Sequence, residues 1–593
     1  MTTVDDKKYK VIGTTPIRHD GADKVTGRAI YGIDYHMTGM LWGKILRSPH
    51  AHARIKSIDA SKALALPGVY AVVTGKDMAV AADLEVEAGE TSLNYMHLSD
   101  NVMARDKSLY KGHAVAAVAA DTQHIAEEAL ALIDVDYEVL EPVLNGREGM
   151  KPDAPLIHPN QTTKIMAFRF DPGTDSGEKS NVAGKSQLKL GDIDAGFKEA
   201  DFIVEGEFTT SWVHQGYIEA QNATAHWNND GNITVWNSSQ GTFNQRQLMA
   251  EILKHPVSQI KMVPQEIGGG FGGKIPVYLE VPAAMLSKKT GHPVKMTMSR
   301  PEVFEGTGPA SAAQMKAKVG ATKDGRITAA YAELVFEAGA FPGSAVGAGA
   351  QGMFTAYNIE NILIDGYDVV VNKPKSAAYR SPGTPQACFP AEALIDELAE
   401  KIGMDPLDFR IKNAAKEGAR RADGVQHPSM GNLECMEALK ISDHYKSDLG
   451  GPNRGRGIAS GYWGNAGMPA SCSIAINNDG TVSLAEGSPD IGGSRAAIAM
   501  MAAEALGIAA EDVHPSIKDT DSVGYNGLTA GSSTTLRNGW AVFEVTKQAI
   551  ELMKARAARL WETEPENVDF ADGVFFSKAE KELKLNFKEL ASK

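Results

Sequence analysis

The feature of this chain that most limits its structure is a run of five glycines around one phenylalanine, at residues 268–273, followed by Lys274. Without side chains, the backbone of this glycine loop can take positive φ angles and lie directly against a ligand, to which it presents N–H donors. No Gly-Lys-Ser/Thr sequence follows it, and its spacing differs from that of a dinucleotide-binding fingerprint. Two interpretations are open at this point: a flexible turn, or a cradle for an oxo or phosphate group.

Size and composition exclude several classes of protein. The 593 residues predict two or more domains. A net charge of -14 gives no electrostatic reason for nucleic-acid binding. The three cysteines, Cys388, Cys435 and Cys472, lie far apart, so neither a disulfide framework nor an iron–sulfur cluster is expected on this chain. The sequence has no run of ~18 apolar residues for a membrane span and no apolar signal core at its start, so we expect a cytoplasmic location.

Hydrophobic patterning predicts an α+β fold. Residues 1–150 are expected to form a compact domain, whose predicted elements are strands at 41–46, 68–73, 113–120 and 135–139 and a helix at 122–133. Residues 173–185, rich in Gly, Ser, Asp and Lys, are predicted to be a linker. The elements predicted beyond it include strands at 233–236, 473–476 and 481–485, helices at 281–289, 391–402 and 496–506, and a turn at 477–480. A polar stretch at 443–456 favours two lobes, 151–440 and 441–593.

Other segments accompany the glycine loop along the chain. They are residues 217–221, 237–240, 378–386, 395–399, 404–413, 490–494 and 531–535. In this order, the segments resemble those of the molybdopterin-binding large subunits of the xanthine dehydrogenase and aldehyde oxidase family of molybdenum hydroxylases. Residues 23–27 and 47–53 resemble the opening of that family's α/β hammerhead domain. The resemblance implies a hammerhead-like α/β domain over 1–150, followed by a two-lobed molybdopterin-binding domain.

The resemblance also implies site residues. Gln240 would donate an amide hydrogen bond to the oxo ligand of the metal, and it is the catalytic residue expected on this chain. None of the site residues would ligate molybdenum, because the pterin's dithiolene holds it; Phe271, Arg380 and Gly531 would lie near it. The residues expected to contact the cofactor are Gln240, Gly270, Phe271, Gly272, Arg380, Gly493, Ser494, Gly531, Ser532, Ser533 and Thr534.

The implied cofactor is molybdopterin with molybdenum, in its cytosine dinucleotide form. The implied partners are an iron–sulfur subunit with [2Fe–2S] centres and an FAD subunit. In the family, the glutamate that acts as general base lies on a lobe beyond the position of residues 585–593, and this chain has no counterpart of that motif, so its second lobe is expected to be incomplete. Three explanations are open: the base is unnecessary, the sequence is truncated, or the lobe is a second molybdopterin subunit, which is the arrangement we expect.

Substrate preference is indicated by two departures from the family. Ile275 follows Lys274 where purine-oxidising members have glutamate, and Pro382 stands where they have the aromatic ring that stacks on the purine. A purine is therefore disfavoured. Met353, Phe354 and Tyr357 could line a pocket, although such a cluster is more often core.

Three other side chains are open to a chemical or a structural interpretation. His50 and His52 could suggest a metal site, but they lack further nearby ligands and are expected to be structural turn residues. Glu219 could act as an acid or base, and a structural role is expected for it too.

The sequence thus predicts the molybdopterin-binding subunit of a multi-subunit molybdenum oxidoreductase that uses water as its oxygen source. A small, non-purine heterocyclic, aromatic or aldehyde-like substrate is expected. The alternatives are a non-catalytic assembly or scaffold paralogue, and a molybdenum-dependent reductase or hydratase.

Overall fold

The computed structural model describes residues 8–88, 91–166, 173–465 and 467–593. The strands in these ranges are β1 (Leu41–Arg47), β2 (Ala53–Asp59), β3 (Val69–Thr74), β4 (Glu85–Ala88), β5 (Thr91–Asn94), β6 (Lys107–Ser108), β7 (Ala114–Ala120), β8 (Asp134–Val139), β9 (Thr162–Met166), β10 (Thr174–Lys179), β11 (Val182–Leu190), β12 (Phe202–Thr210), β13 (Asn222–Trp227), β14 (Ile233–Asn237), β15 (Ile260–Pro264), β16 (Val294–Thr297), β17 (Ala313–Ala321), β18 (Ile327–Gly339), β19 (Ile362–Val370), β20 (Cys472–Ile476), β21 (Val482–Glu486), β22 (Val513–Ile517), β23 (Val568–Ala571), β24 (Val574–Ser577) and β25 (Lys584–Asn586).

The α-helices in the same ranges are α1 (Gly21–Thr26), α2 (Ser61–Leu64), α3 (Tyr95–Val102), α4 (Gln123–Ala131), α5 (Gly146–Gly149), α6 (Ile193–Glu199), α7 (Thr242–Leu253), α8 (Glu280–Thr290), α9 (Arg300–Gly306), α10 (Val346–Gly352), α11 (Thr384–Ile402), α12 (Pro406–Asn413), α13 (Asn432–Ile441), α14 (Asp443–Lys446), α15 (Ser494–Leu506), α16 (Thr534–Leu560) and α17 (Phe587–Ala591). Many begin at a side chain that accepts backbone N–H groups. Thr122 accepts the Ile125 N–H before α4, and Asp405 accepts two N–H groups before α12.

The first large sheet has seven strands in the order β15-β14-β13-β16-β1-β7-β3. It combines strands from the first 150 residues with strands from 222–297, because β1 pairs in parallel with β16 and antiparallel with β7. All seven residues of β7 are buried, since α8 and α4 both pack against it. The N-terminal region therefore shares its sheet and its core with residues beyond 150.

The second large sheet has the strand order β10-β9-β11-β19-β18-β17-β12. Helix α11 packs on β12 and β17, and α10 packs on β19 and β11. Apolar residues from these elements form a second core. The third core lies in the last part of the chain, where α15 and α16 pack on the sheet β20-β21-β22 and α16 also contacts β23.

The predicted linker at 173–185 is wrong. Its residues form β10 and the start of β11, and β10 pairs antiparallel with β9. All six residues of β10 are exposed. A strand at the edge of a sheet can be polar along its whole length, which explains why its composition resembled that of a linker. The α+β class is confirmed, as are the strands at 41–46 and 113–120.

Candidate functional site

The glycine loop connects β15 to α8 and folds into a tight turn, in which the Gly273 N–H donates to the Gly270 carbonyl over 2.8 Å. Phe271, at its tip, has a φ of 54°, and Gly272 has a φ of 110°. A positive φ costs a residue with a side chain about 1–3 kcal/mol. Phe271 is held in this conformation by a second loop, because its carbonyl accepts the Arg380 N–H over 2.8 Å.

Four of the five glycines in this loop have a neighbour within 3.0 Å of their Cβ position, and two of these contacts involve Ala378 and Gln240. A Cβ on Gly272 would lie 2.3 Å from the Ala378 carbonyl oxygen, and a Cβ on Gly270 would lie 2.5 Å from Oε1 of Gln240. Real Cβ atoms do not come this close to backbone or amide oxygens. Both glycines are therefore needed for the loop to pack against Ala378 and Gln240.

Gln240 follows β14 and joins the glycine loop to the segment around Thr529. Its Oε1 accepts the N–H groups of Gly272 over 2.8 Å and of Lys274 over 3.2 Å. Its Nε2 donates to the Thr529 carbonyl over 3.0 Å. Because the oxygen faces two N–H donors, the orientation of the amide is determined. The second hydrogen on Nε2 has no acceptor among the described residues and is available to a ligand.

A buried ion pair lies beneath the glycine loop. The Lys274 ammonium is 2.7 Å from Oε2 of Glu219, and the two side chains are 0% and 7% exposed. The same oxygen accepts the Gly268 N–H over 2.7 Å, and Oε1 accepts the Ser238 hydroxyl over 2.5 Å. Burial lowers the pKa of Lys274, and the Glu219 carboxylate opposes this shift. Glu219 anchors the loop, in agreement with the structural interpretation.

Arg380 lies in the turn before α11, on the other side of the glycine loop. Its side chain is exposed, and it forms no hydrogen bond or ion pair with any residue in the described ranges. The backbone here is strained, since the φ of Arg380 is 21° and that of Ser381 is 64°. Of the nine non-glycine residues with positive φ in the described chain, four line one cleft: Phe271, Arg380, Ser381 and Ser532. Strain concentrated in this way is typical of a functional site.

Two long helices begin at this cleft. Before α15, the Asp490 carboxylate accepts the Gly493 N–H over 3.0 Å and the Ser494 hydroxyl over 2.9 Å. Before α16, the turn that contains Ser532 leads into the first residue, Thr534. A helix N-terminus carries a partial positive charge and free N–H groups. Two such termini facing one cleft favour the binding of an anion such as a phosphate.

The loops and helix termini enclose a cleft of about 530 Å³. Of the eleven residues expected to contact the cofactor, ten line it, and Gly270 lies behind Gln240. The ten are Gln240, Phe271, Gly272, Arg380, Gly493, Ser494, Gly531, Ser532, Ser533 and Thr534. Trp463 and Thr529 also line the cleft and were missed by sequence reasoning, whereas Ile491, another lining residue, lies in the segment 490–494. Trp463 lies near the start of the second lobe, beyond the polar stretch at 443–456, and no local pattern in the sequence pointed to it.

Charged residues hold the N-terminal helix α1 against this site. The Lys24 ammonium lies 2.6 Å from the Asp20 carboxylate and 3.1 Å from that of Glu266. Arg495, in the first turn of α15, contacts Glu266 over 2.7 Å and Asp490 over 2.6 Å. This chain of ion pairs connects α1, the segment after β15 and the loop before α15.

The two histidines for which the sequence analysis expected a structural role, His50 and His52, both contact neighbouring protein groups. His52 is 4% exposed, and its Nδ1 is 2.9 Å from the Glu141 carbonyl. Burial lowers the pKa of His52. His50 packs edge-on against Tyr137, with ring centroids 5.0 Å apart. The described residues contain no group of three or more His, Cys, Asp or Glu side chains placed to hold a metal ion.

Met353, Phe354 and Tyr357 belong to the second core, which confirms the interpretation that such a cluster more often has; they do not line the cleft. The Tyr357 hydroxyl donates to the Glu392 carboxylate over 2.5 Å. Ile275 is buried in a small apolar cluster with Ala378 and Leu528. Across the described ranges, no helix combines the length and the apolar character needed to cross a bilayer.

Comparison with known proteins places the chain among molybdenum enzymes. Models of the molybdopterin cofactor-binding domain match residues 175–414 and 437–593, and a model of the aldehyde oxidase and xanthine dehydrogenase a/b hammerhead domain matches 26–141. The nicotinate dehydrogenase large molybdopterin subunit of Eubacterium barkeri is 33% identical over 438 residues, which cover 73% of this chain and 96% of that protein. A probable xanthine dehydrogenase subunit of Bacillus subtilis is 30% identical over 592 residues, covering 97% of this chain and 75% of the relative.

Solved structures of molybdenum enzymes have the same fold as this chain. CO dehydrogenase from Oligotropha carboxidovorans superimposes with a TM-score of 0.81 at 26% identity, covering 98% of this chain and 76% of that one. Quinoline 2-oxidoreductase from Pseudomonas putida 86 has the same fold, with a TM-score of 0.83 at 23% identity, covering 99% of this chain and 76% of that one. Together with the cleft, these matches show that the chain belongs to the molybdopterin-binding large subunits of the xanthine dehydrogenase family of molybdenum oxidoreductases.

Proposed function

We propose that this chain is the molybdopterin-binding subunit of a heteromeric molybdenum hydroxylase that oxidises a small, non-purine organic molecule with oxygen from water. One observation carries the proposal. The oriented Gln240 amide, the uncommitted Arg380 guanidinium and two helix N-termini converge on one cleft of about 530 Å³.

The residues of the cleft fit the cofactor. Gly270 and Gly272 let the glycine loop pack against Gln240 and Ala378, and in this position Phe271 and Gly272 line the cleft. Gly493, Ser494, Ser532, Ser533 and Thr534 surround the two helix N-termini and would hold the pyrophosphate of a dinucleotide cofactor, for which we propose the cytosine form. Phe271, Arg380 and Gly531 would lie near molybdenum. When bound, the cofactor supplies the two-electron redox centre.

Gln240 would act on the reacting group through its free Nε2 hydrogen. Because Gly272, Lys274 and Thr529 hold the amide, its N–H donor is oriented before a ligand arrives. A preorganised neutral donor stabilises developing negative charge without reorganisation. Arg380 adds a positive charge at the same cleft.

The general base is proposed to come from outside the residues described. No carboxylate lines the cleft within the described part of the chain, whereas activation of water for attack on carbon needs a base. We place this base on a second molybdopterin subunit that supplies the lobe with the glutamate motif. This chain covers 75% of the length of its relative from Bacillus subtilis.

Electrons are proposed to leave through [2Fe–2S] centres and FAD on partner subunits. Cys388, Cys435 and Cys472 are too dispersed to hold a cluster, and a cluster needs several thiolates. We propose a cytoplasmic assembly, and the division of this chain at 1–150, 151–440 and 441–593. The matched ranges 26–141, 175–414 and 437–593 support that division.

The test is to purify the chain with the subunits that accompany it. Aldehydes and nitrogen heterocycles are supplied in ¹⁸O-labelled water with a dye as electron acceptor. We expect a product that carries ¹⁸O. A complex that contains molybdenum but forms a product with unlabelled oxygen, or acts only as a reductase or hydratase, would contradict the proposed reaction.

A further inference from the structure

The segment before α1, residues 10–20, is attached to the second lobe of the chain. The Val11 N–H donates to the Glu504 carboxylate, in the last turn of α15, over 2.6 Å. Nε2 of His19 donates to the Ala510 carbonyl, in the turn that follows this helix, over 3.1 Å. The N-terminal segment therefore lies beside α15, one of the two helices that begin at the cleft.

Within this segment, the guanidinium of Arg18 packs on Gly493, which precedes α15 and lines the cleft. A Cβ at Gly493 would lie 3.0 Å from Cζ of Arg18 and 3.1 Å from its Nη1. The glycine thus leaves the space that the guanidinium occupies. Arg18 is placed at the edge of the cleft, next to the free N–H groups at the start of α15.

One edge of this guanidinium is held by the buried Asp20 carboxylate, which accepts Nε over 3.0 Å and Nη2 over 2.7 Å. Burial opposes ionisation of Asp20, but its hydrogen bonds from Arg18 and Lys24 hold its pKa well below its usual range. The Arg18 side chain is 43% exposed, and its Nη1 has no acceptor in the described part of the chain. The N–H groups of Nη1 are therefore oriented and open to a ligand.

Arg18 stands at one end of the chain of ion pairs that connects α1 to the start of α15. Each of the other two cations in this chain, Lys24 and Arg495, contacts two carboxylates within 3.1 Å. Arg18 contacts one, that of Asp20, among the residues described. Of the three cations, Arg18 is therefore the one that can take a further anion without giving up a carboxylate.

We propose that Arg18 is a further cofactor-binding residue, whose Nη1 donates to a phosphate oxygen of the dinucleotide cofactor at the start of α15. A guanidinium suits this position, because Asp20 takes one edge of the fork and leaves the other to the phosphate. Arg18 would thereby join the N-terminal segment to the occupied cleft. This inference rests on the proposed function, because the phosphate belongs to the cofactor proposed there.

The test measures how fast the cofactor leaves the chain purified with its natural partners. Molybdenum and pterin dinucleotide are determined at intervals during dialysis. We expect Arg18→Gln to lose both about tenfold faster than the wild type, the effect of one hydrogen bond to a charged group. Arg18→Lys keeps the charge without the fork, so its rate should lie between the two. Equal rates for Arg18→Gln and the wild type would overturn the inference.

Two further variants separate a phosphate contact from a purely structural role. Asp20→Asn breaks the same ion pair but keeps the positive charge of Arg18, so it should retain the cofactor longer than Arg18→Gln does. Arg28→Gln is the matched control, because Arg28 also pairs with one carboxylate, that of Asp23, over 3.0 Å. It should retain the cofactor as the wild type does. Loss from either variant as fast as from Arg18→Gln would overturn the inference.

A purified complex with neither molybdenum nor pterin would contradict the proposed function, and inorganic pyrophosphate then replaces the cofactor as the probe. Calorimetric titration of the wild type and of Arg18→Gln measures the anion contact by itself. Binding about tenfold weaker in the variant would support this contact. Equal binding, or binding by neither protein, would overturn it.

Discussion

At the scale of one residue, a substitution at Gly272 tests the close packing between the glycine loop and the loop that contains Ala378. Replacement by alanine would place Cβ 2.3 Å from the Ala378 carbonyl oxygen, at a φ of 110°. We expect Gly272→Ala to lose about 3 kcal/mol of stability and most of its molybdenum. The measurements are the thermal unfolding midpoint and the metal content.

Gly291→Ala is the control for backbone strain alone. Gly291 also has a positive φ, of 70°, but nothing lies within 4 Å of its Cβ position. It should cost about 1 kcal/mol and leave the metal content unchanged. Equal effects of the two variants would show that the contact with Ala378 is unimportant.

The two roles proposed for Gln240, in turnover and in holding the loops together, can be separated by experiment. We expect Gln240→Ala to lower turnover per bound molybdenum about a hundredfold, because the variant lacks the oriented N–H donor. Cofactor content should fall by a smaller factor, since the amide also joins Gly272 and Lys274 to Thr529. Steady-state kinetics normalised to molybdenum provide the measurement. Turnover per molybdenum equal to that of the wild type would rule out the proposed role.

Most residues that line the cleft could be predicted from the sequence, whereas the tertiary contacts that bring them together could not. The glycine loop and the glycine- and serine-containing starts of α15 and α16 are local patterns, so their residues could be named in advance. Trp463 and Thr529 reach the cleft only through tertiary packing, which no local pattern records. Met353 had two interpretations in the sequence, because core and pocket residues have the same apolar character, and the structure places it in the core.

At the scale of elements, the pair Lys274–Glu219 ties the glycine loop to the segment before β13. Lys274→Met leaves a buried carboxylate without its cation, and we expect a loss of about 3–5 kcal/mol. Adding Glu219→Gln removes the unpaired charge and should recover part of this loss. Urea unfolding compares the variants. A double variant less stable than Lys274→Met would contradict the account of the pair.

The contact between β21 and α16 should make stability depend on pH. Burial raises the pKa of Glu486, at the end of β21, from 4.5 to about 7. Its Oε2 accepts the Asn538 amide of α16, and its Oε1 has no partner among the described residues. Because the pKa of Glu486 is higher in the folded than in the unfolded chain, its contribution to the free energy of unfolding is fully present below pH 4.5. This contribution is lost as the pH rises through about 7.

We therefore expect the unfolding midpoint of the wild type to decrease as the pH rises from about 5 to about 8. The corresponding loss in the free energy of unfolding is up to roughly 3 kcal/mol. Gln stays neutral, so Glu486→Gln should flatten this profile. Thermal scans across the range make the comparison, and parallel profiles for the two proteins would refute the assignment to Glu486.

Regular elements with a buried face were the most predictable part of the fold. Strand β7 and helix α8 match their predicted positions within a few residues, because their apolar residues have strand or helix periodicity. Strand β10 was missed because a wholly exposed edge strand has no apolar face.

At the scale of the whole molecule, the chain brings distant segments together at one cleft. The first sheet joins β1, β7 and β3 to β13–β16, and the ion pairs from Lys24 to Arg495 connect α1 to α15. No local pattern reveals that the N-terminal region completes a sheet begun after residue 222. The site therefore depends on the assembled chain rather than on any one predicted domain.

The central claim is that this cleft holds a molybdopterin dinucleotide. Metal analysis and mass spectrometry of the released cofactor, on the chain purified with its natural partners, test it most directly. The account predicts one molybdenum and one pterin dinucleotide for each copy of the chain, with both lost in Gly272→Ala and retained in Gly291→Ala. A purified complex with neither molybdenum nor pterin would contradict it.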